Sequence, residues 1–329
     1  MNIELDHIDR SLVNLLQSDF PLTREPFADL ATRLGLDEQE LLKRTEQLKE
    51  NQIIRIIGPV FNSRTLGYQS TLVAMRIPEN RIEAAAEIIN NHPGVGHNYQ
   101  RDHYYNLWFT LAVRGNADLE EALREFDEQI APEAMFDLPA TKLFKIRLFF
   151  DLEGNGNHSN DEIPVETQPV DSPSLSDTER AVVNEVQQQL PLVGRPFDSM
   201  AENAGMSVGD FLAGCRELKE RGLLRRFGAS IEQRNAGFVA NALVCWAVPE
   251  GRVDDAGRTM ADFKEVTHCY ERQTCPQWPR YNIFTMIHGD SRENIEAILS
   301  RMSAETGIDE CEILPTVREF KKERVKYRV

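Results

Sequence analysis

The chain has 329 residues, which suits several domains better than one core, because single domains usually hold about 100 to 200 residues. Its hydrophobic residues, 41% of the total, are dispersed without a run long enough to span a membrane, and the first residues lack the apolar segment of a signal peptide; we expect a cytoplasmic protein without a membrane partner. The net charge of −16 argues against a broad nucleic-acid-binding surface, although it allows a local basic pocket.

Residues 1–62 have the pattern of a helix-turn-helix domain. Apolar residues recur at helical spacing in three segments, which start near Ile8, Phe27 and Leu41, and Gly35 stands in a connecting turn. The β-branched and apolar run over residues 53–60 then predicts the wing of a winged helix-turn-helix domain.

Residues 63–152 predict a ferredoxin-like domain. Strand-like segments cover residues 71–77, 94–101, 105–114 and 141–150, and helical segments cover residues 80–91 and 117–130. Their order, β-α-β-β-α-β, is that of a ferredoxin-like unit.

The whole arrangement occurs a second time. Pro21-Leu22 and Pro26-Phe27 return 170 residues later as Pro191-Leu192 and Pro196-Phe197. Residues 175–232 therefore predict a second helix-turn-helix domain, and residues 233–329 a second ferredoxin-like domain. Its strands are expected near residues 240–248, 266–272, 281–288 and 310–318.

The two copies are separated by a segment of different composition. Residues 153–174 are polar, contain several glycines, asparagines and prolines, and have no apolar periodicity. Such a segment cannot bury enough apolar surface to offset its ordering entropy, so we expect a flexible linker. The predicted fold class is α+β, a tandem repeat of a winged helix-turn-helix domain plus a ferredoxin-like domain.

The five cysteines suit neither a disulfide framework nor a metal site. Their number is odd, all of them lie in the second half of the chain, and no two have C-x-x-C spacing. Neither feature is therefore expected, and we assign no metal ligands.

This architecture resembles the Lrp/AsnC family of feast-or-famine regulators, which implies DNA binding as a first hypothesis. The recognition-helix segments speak against it, because residues 37–50 hold five acidic and three basic side chains and residues 207–221 hold three of each. A major-groove reader needs donors that reach phosphates and base edges. We therefore expect DNA binding to be absent and the fold to support pairing of the two halves within one chain; whether the chain also forms a homodimer stays open.

One polar and aromatic motif recurs in both ferredoxin-like domains at an offset of 171 residues. We call its two copies the first triplet and the second triplet; they consist of His97, Tyr99 and Arg101, and of His268, Tyr270 and Arg272. Side chains alternate between the faces of a strand, so each triplet points one way. Burying His and Arg beneath the helices without partners would be costly. We expect the triplets on the opposite face, where the halves meet around a ligand; a polar seam between the halves is the alternative.

The longer blocks around the triplets resemble a known family. The pattern H-N-Y-x-R-x-H-x-Y-N-L-W-F-T begins at His97, and H-C-Y-x-R…W-P-x-Y-N-I-F begins at His268. Both are similar to the two subunits of sirohaem decarboxylase. The resemblance implies removal of the carboxyl groups of the C12 and C18 acetates of sirohaem, giving 12,18-didecarboxysirohaem for haem d1 or the alternative haem pathway. It implies no cofactor beyond the iron tetrapyrrole substrate.

The chemistry of decarboxylation suggests roles within these blocks. Loss of CO2 from a pyrrole acetate needs a protonated ring as electron sink, and a histidine of near-neutral pKa can supply and recover that proton. The candidate catalytic residues are His97 and His268, followed by His103, which has no histidine counterpart in the second half. Bonding of a histidine to the sirohaem iron is an alternative role.

The remaining candidates would bind the substrate. Guanidinium groups form bidentate pairs with carboxylates, which suggests Arg101 and Arg272. The other candidates are Tyr99, Asn106, Tyr270, Trp278, Asn282, Lys145 and Arg147, and residues 321–328 form a basic segment that reads equally well as a solvated tail. Two other functions stay open: a DNA-binding regulator, and a haem-responsive sensor that binds a tetrapyrrole without converting it.

Overall fold

A computed structural model describes residues 5–18, 20–146, 152, 175–232 and 240–329. The first half contains α1 (His7–Ser18), α2 (Pro26–Leu34), α3 (Glu38–Glu50), β1 (Ile54–Phe61), β2 (Tyr68–Arg76), α4 (Ile82–Asn91), β3 (Val95–Arg101), β4 (Leu107–Arg114), α5 (Gly115–Ile130) and β5 (Ala134–Ile146). Local signals fix the turn of the helix-turn-helix. Helix α2 starts at Pro26 and stops at Gly35, whose φ of +67 suits glycine, and the Asp37 side chain accepts from the Glu40 N–H to cap α3.

The second half repeats these elements in the same order. It contains α6 (Asp177–Val186), α7 (Pro196–Asn203), α8 (Val208–Glu220), β6 (Leu224–Ile231), β7 (Ala240–Trp246), α9 (Val253–Asp262), β8 (Val266–Arg272), β9 (Ile283–Gly289), α10 (Arg292–Thr306) and β10 (Cys311–Lys322). The predicted tandem organisation is confirmed. The predicted linker, residues 153–174, lies outside the described residues, and the exact domain boundaries stay predictions.

The two ferredoxin-like sheets close into one barrel. Its eight described strands follow the order β10-β3-β4-β2-β5-β8-β9-β7. Strand β5 pairs with β2 of its own half and with β8 of the other, while β10 pairs with β7 and with β3. The last strand of each half thus pairs with strands of both halves, and this pairing closes sheet edges that would otherwise be open.

The two shared strands cross between the sheets at prolines. Pro139 pairs with Thr71 of its own half, and the next residue, Ala140, pairs with the other half. Pro315 marks the equivalent point of β10. A proline has no N–H for a ladder, yet the carbonyls of Pro139 and Pro315 accept from the backbone N–H groups of Gln273 and Asp102 at 2.9 and 3.1 Å. Strand β5 begins at Ala134, before the predicted strand 141–150, of which residues 147–150 lie outside the described residues. Strand β10 extends to Lys322, beyond the predicted strand 310–318.

The helix-turn-helix domains are joined by their wings. Strands β1 and β6 pair antiparallel around Gly58 and Gly228, and a common hydrophobic core includes residues of both domains. The ring centroids of Phe20 and Phe227, one from each half, lie 5.4 Å apart. Among the described helices, none is long and apolar enough to cross a bilayer.

The two central wing glycines are expected to differ in their tolerance of a side chain. A Cβ on Gly228 would lie 2.7 Å from the backbone oxygen of Leu16, whereas the nearest atom to a Cβ on Gly58 is Arg324 Nη1 at 3.4 Å. We expect Gly228→Ala to lower the free energy of unfolding by about 1–3 kcal/mol and the matched Gly58→Ala to change it by less than about 0.5 kcal/mol. Chemical denaturation measures both, and equal effects would contradict the expectation.

Candidate active site

The two triplets have nearly identical geometry. The rings of His97 and Tyr99 are stacked with centroids 6.3 Å apart and planes at 18°, and the guanidinium carbon of Arg101 lies 4.8 Å from the Tyr99 ring centre. In the second triplet the corresponding values are 6.3 Å, 18° and 4.9 Å. The members of each triplet therefore share one face of their strand, as the alternation predicts.

That face points into the barrel. Tyr99 pairs with Trp108 across β3 and β4, and Tyr270 pairs with Phe284 across β8 and β9. Trp108 and Phe284 belong to a cluster that mixes residues of both halves, whereas the opposite faces of the sheets pack against helices of their own half. Both triplets thus line the space between the halves.

The triplet arginines are anchored inside the protein. Arg101 is 3% exposed and donates to the Leu314 carbonyl at 3.2 Å and to Thr316, and Arg272 donates to the Leu138 carbonyl at 2.8 Å. The Nε atom of each arginine is buried without a hydrogen-bond partner in the described part of the chain. Burial lowers the pKa of both groups to about 10, so both are charged at neutral pH. They hold the tyrosines in place and leave positive charge in the barrel.

The triplet histidines face the space that the barrel encloses, which we call the cavity. By surface area His97 is exposed and His268 half-buried, and desolvation by the surrounding protein is the main cause that lowers their pKa to about 3 and about 4. Both imidazoles are then neutral at pH 7.

The wing end of this cavity is positively charged. Lys322 of β10 pairs with His97 of β3 and lowers the pKa of both triplet histidines. Its Nζ lies 3.1 Å from Glu232 Oε1, and Arg55 Nε lies 3.7 Å from Glu232 Oε2. Arg55 also lowers the pKa of His97. The basic segment at residues 321–328 thus contributes at least one cation to the site.

A third interior histidine was not predicted. His288 lies on β9, where Phe284, Met286 and His288 alternate onto the inner face, and Met286 pairs with His268. The pKa of His288 is lowered to about 3, mainly by burial and in addition by His268, Lys322 and Arg101. Strand alternation from Phe284 was the available signal, but the first half has Ala112 at this position, so the repeat comparison gave no hint of it.

The structure does not bring His103 to the triplet histidines. It lies in the loop after β3, where its Nε2 is 3.5 Å from Glu312 Oε1 and its ring is edge-on to Trp278 at 5.5 Å. It lies beyond the end of β3, and the strand from His97 to Arg101 alone spans about 13 Å. Trp278, 5% exposed, packs among the aromatic rings of the interior cluster, and its contact with the substrate stays a prediction.

Three predicted substrate ligands have partners within the described part of the chain, and contact of each with the substrate stays a prediction. Asn106 exchanges two hydrogen bonds with the backbone of Ile77, at 2.9 and 2.7 Å, and Asn282 does the same with Val248, at 3.0 and 2.8 Å. Their amides are occupied by this backbone pairing. Lys145 donates to the carbonyls at the end of α9, including that of Phe263 at 2.9 Å, and so lies on the helical side of the sheet. Arg147 lies outside the described residues.

The neutral interior histidines predict a dependence of stability on pH. The pKa values of His97, His268 and His288 are lowered from 6.5 to about 3, 4 and 3. Between these limits the unfolded chain binds more protons, so stability is lost as the pH falls from 6.5 toward 3. We expect the urea midpoint to fall between about pH 7 and pH 4, and to fall less steeply in a chain carrying H97Q, H268Q and H288Q. If the urea midpoint fell equally steeply with pH in the wild type and in the triple variant, these histidines would not be the origin of the pH dependence.

Comparison with known proteins places this geometry in a family. The model of the AsnC-like ligand binding domain matches residues 65–145 and 235–321, and that of the siroheme decarboxylase NirDL-like HTH domain matches residues 9–55 and 179–225. The siroheme decarboxylase of Hydrogenobacter thermophilus is 40% identical over 96% of this chain and 93% of its own length.

One further relative matches almost the whole chain, and another matches about half of it. The crystal structure of the siroheme decarboxylase NirDL in complex with an iron-uroporphyrin III analogue superposes with a TM-score of 0.74 at 36% identity, covering 98% of this chain and 95% of that one. The siroheme decarboxylase alpha subunit of Desulfovibrio desulfuricans is 43% identical over 46% of this chain and 87% of its own length. The chain therefore belongs to the NirDL-like siroheme decarboxylase family, a family of carboxy-lyases with AsnC-like ligand-binding and helix-turn-helix domains.

Proposed function

We propose that this protein decarboxylates the C12 and C18 acetates of sirohaem to give 12,18-didecarboxysirohaem, a precursor in the haem d1 or alternative haem pathway. Two equivalent His-Tyr-Arg triplets that face one interior space carry the proposal, because the substrate has two acetates to lose. Each triplet serves one acetate. The family and the tetrapyrrole analogue bound by the NirDL relative support the same substrate class.

The positive charge of the candidate site complements the negative charge of this substrate. Sirohaem carries several carboxylates, and the barrel holds Arg101 and Arg272 within the triplets and Lys322 and Arg55 at its wing end. Burial raises the pKa of Tyr99 and Tyr270, so both tyrosines stay neutral between the histidine and the arginine of their triplet. A carboxylate of the substrate replaces Glu232 as the partner of Lys322 or Arg55.

The histidines supply the protons. A carboxylate placed beside a desolvated imidazole raises its pKa, so His97 and His268 take up protons together with the substrate. The imidazolium then protonates the pyrrole ring, which accepts the electron pair of the breaking bond to CO2. The methylene carbon takes a proton from water, and the imidazole recovers the ring proton. Each acetate consumes one proton, releases one CO2 and becomes a methyl group, without an oxidant or reductant.

A DNA-binding role has little support from the contacts of the recognition helix α3. Arg44 lies 2.9, 2.8 and 2.7 Å from carboxylate oxygens of Asp6, Asp9 and Glu40. This cation is engaged by three acidic partners, which leaves it poorly placed to reach phosphates. The wings of the two halves also pair with each other.

Anaerobic incubation with sirohaem tests the proposal. We expect the product mass to fall by one CO2 and then by a second. Binding without any change of mass would overturn the decarboxylase proposal and favour a sensor.

A further inference from the structure

We propose that Thr267 and His288 are positioning residues that pass a proton to His268, and that this relay serves only the acetate facing the second triplet. We call the three residues the relay. The inference rests on the proposed function and adds two residues to it.

The relay is a continuous chain of hydrogen-bonding atoms. The Thr267 hydroxyl oxygen lies 3.0 Å from His268 Nδ1 and 3.1 Å from His288 Nε2. Thr267 is 2% exposed and His288 is 8% exposed. The same hydroxyl lies 3.3 Å from the Met286 carbonyl oxygen, to which it can also donate. A hydroxyl donates one hydrogen bond while it accepts others, so Thr267 donates to His268 when its hydrogen turns from that carbonyl to Nδ1, and it then accepts from His288.

A β-bulge makes this arrangement possible. The pairing of β8 with β9 shifts register between Val266 and His268. In a regular strand Thr267 and His268 would point to opposite faces, whereas a bulge redirects a side chain. The bulge therefore lets two consecutive side chains meet beside His288.

The first half has no equivalent relay. Gly96 and Ala112 occupy the positions of Thr267 and His288. His97 Nδ1 has the Thr110 hydroxyl at 3.4 Å, and that hydroxyl also accepts from the His97 N–H at 3.1 Å. A Cβ on Gly96 would lie 3.0 Å from the Glu323 carbonyl oxygen, so the backbone of the other half crowds the place of a threonine. The two histidines thus receive protons by different routes.

The transfer consumes one proton from water. His288 Nδ1 takes up that proton while its Nε2 proton passes to the Thr267 hydroxyl, which gives its own proton to Nδ1 of His268. His288 is neutral before and after the transfer, and His268 becomes the imidazolium that protonates the substrate ring from Nε2. Before the transfer, the hydroxyl donating to Nδ1 fixes neutral His268 as the tautomer with its proton on Nε2.

Matched substitutions test the relay in the full chain. Thr267→Val keeps the shape without the hydroxyl, Thr267→Ser keeps the hydroxyl, and His288→Gln keeps a hydrogen-bonding group that cannot carry the proton. With sirohaem under anaerobic conditions, we expect T267V and H288Q to slow one decarboxylation about 10- to 100-fold, so that the monodecarboxylated product accumulates. T267S should retain the wild-type time course.

The outcomes separate the relay from the proposed function. If T267V and H288Q slow both decarboxylations equally, or neither, the relay is overturned. If the wild-type chain itself releases no CO2, the proposed function fails, and nitrogen-15 NMR of the histidine side chains still tests the contact. We expect the Nδ1 signal of His268 to differ between wild type and T267V but not between wild type and T267S; identical signals in T267V would overturn the relay.

Discussion

His97→Ala and His268→Ala are each expected to stop the reaction after one CO2, and the double variant is expected to release none. Each imidazole is the proton-transferring group of its triplet, stacked on a tyrosine inside the barrel. Loss of a general acid costs typically 10²- to 10⁴-fold in rate, so the affected acetate should be lost at about one hundredth of the wild-type rate or less. Product mass over time, with sirohaem and without oxygen, measures both steps.

The matched control is His7→Ala. His7 is exposed at the start of α1, in the helix-turn-helix domain, and its removal should leave the time course unchanged. Substrate affinity gives a second comparison, because the cations of the barrel are intact in H97A and H268A, and sirohaem should still bind. Wild-type turnover in both triplet variants would refute the roles assigned to the two histidines.

The repeat made the fold and the triplets predictable. Equal spacing of the His-x-Tyr-x-Arg motifs, combined with strand alternation, placed each triplet on one face, and the cost of burying charge selected the face between the halves. Strand alternation could not predict how deeply each triplet side chain is buried. The binding of a substrate carboxylate by Arg101 stays a prediction, and in the structure its guanidinium donates to the carbonyl of Leu314.

Strand crossing was not predictable from local pattern. A proline lacks the N–H of a ladder bond, so local pattern gives no reason to expect Pro139 and Pro315 inside strands. Only the pairing of each strand with both sheets shows why a proline is tolerated there, at the point where the strand changes partners. The exchange of last strands is a tertiary feature that no short window of sequence contains.

The hydrogen-bond partners of polar residues near the motif could not be predicted from their positions in the sequence. Asn106 and Asn282 occupy equivalent positions in the two blocks and were assigned to the substrate. The structure uses their amides to replace missing backbone partners at Ile77 and Val248, a need that any buried backbone group creates. His288 was overlooked for the opposite reason, because it stands outside the repeated motif.

Separating the halves is expected to abolish activity, and mixing them is expected to restore it. Strand β3, which carries the first triplet, lies between β4 and β10, and β8, which carries the second, lies between β9 and β5. In each case one neighbour comes from the other half. Residues 1–152 or 175–329 alone would therefore leave a triplet strand at an open edge and the barrel unclosed.

Concentration distinguishes the intact chain from the mixture. Tethered halves meet at an effective concentration of the order of mM, so the specific activity of the intact chain should not change on dilution. The mixed halves should lose activity once diluted below their dissociation constant, in step with their dissociation in analytical ultracentrifugation. An intact chain in which residues 153–174 are replaced by a Gly-Ser segment of equal length is the control, and it should behave like wild type. If one half alone removed both carboxyl groups, the shared barrel would not be the functional unit.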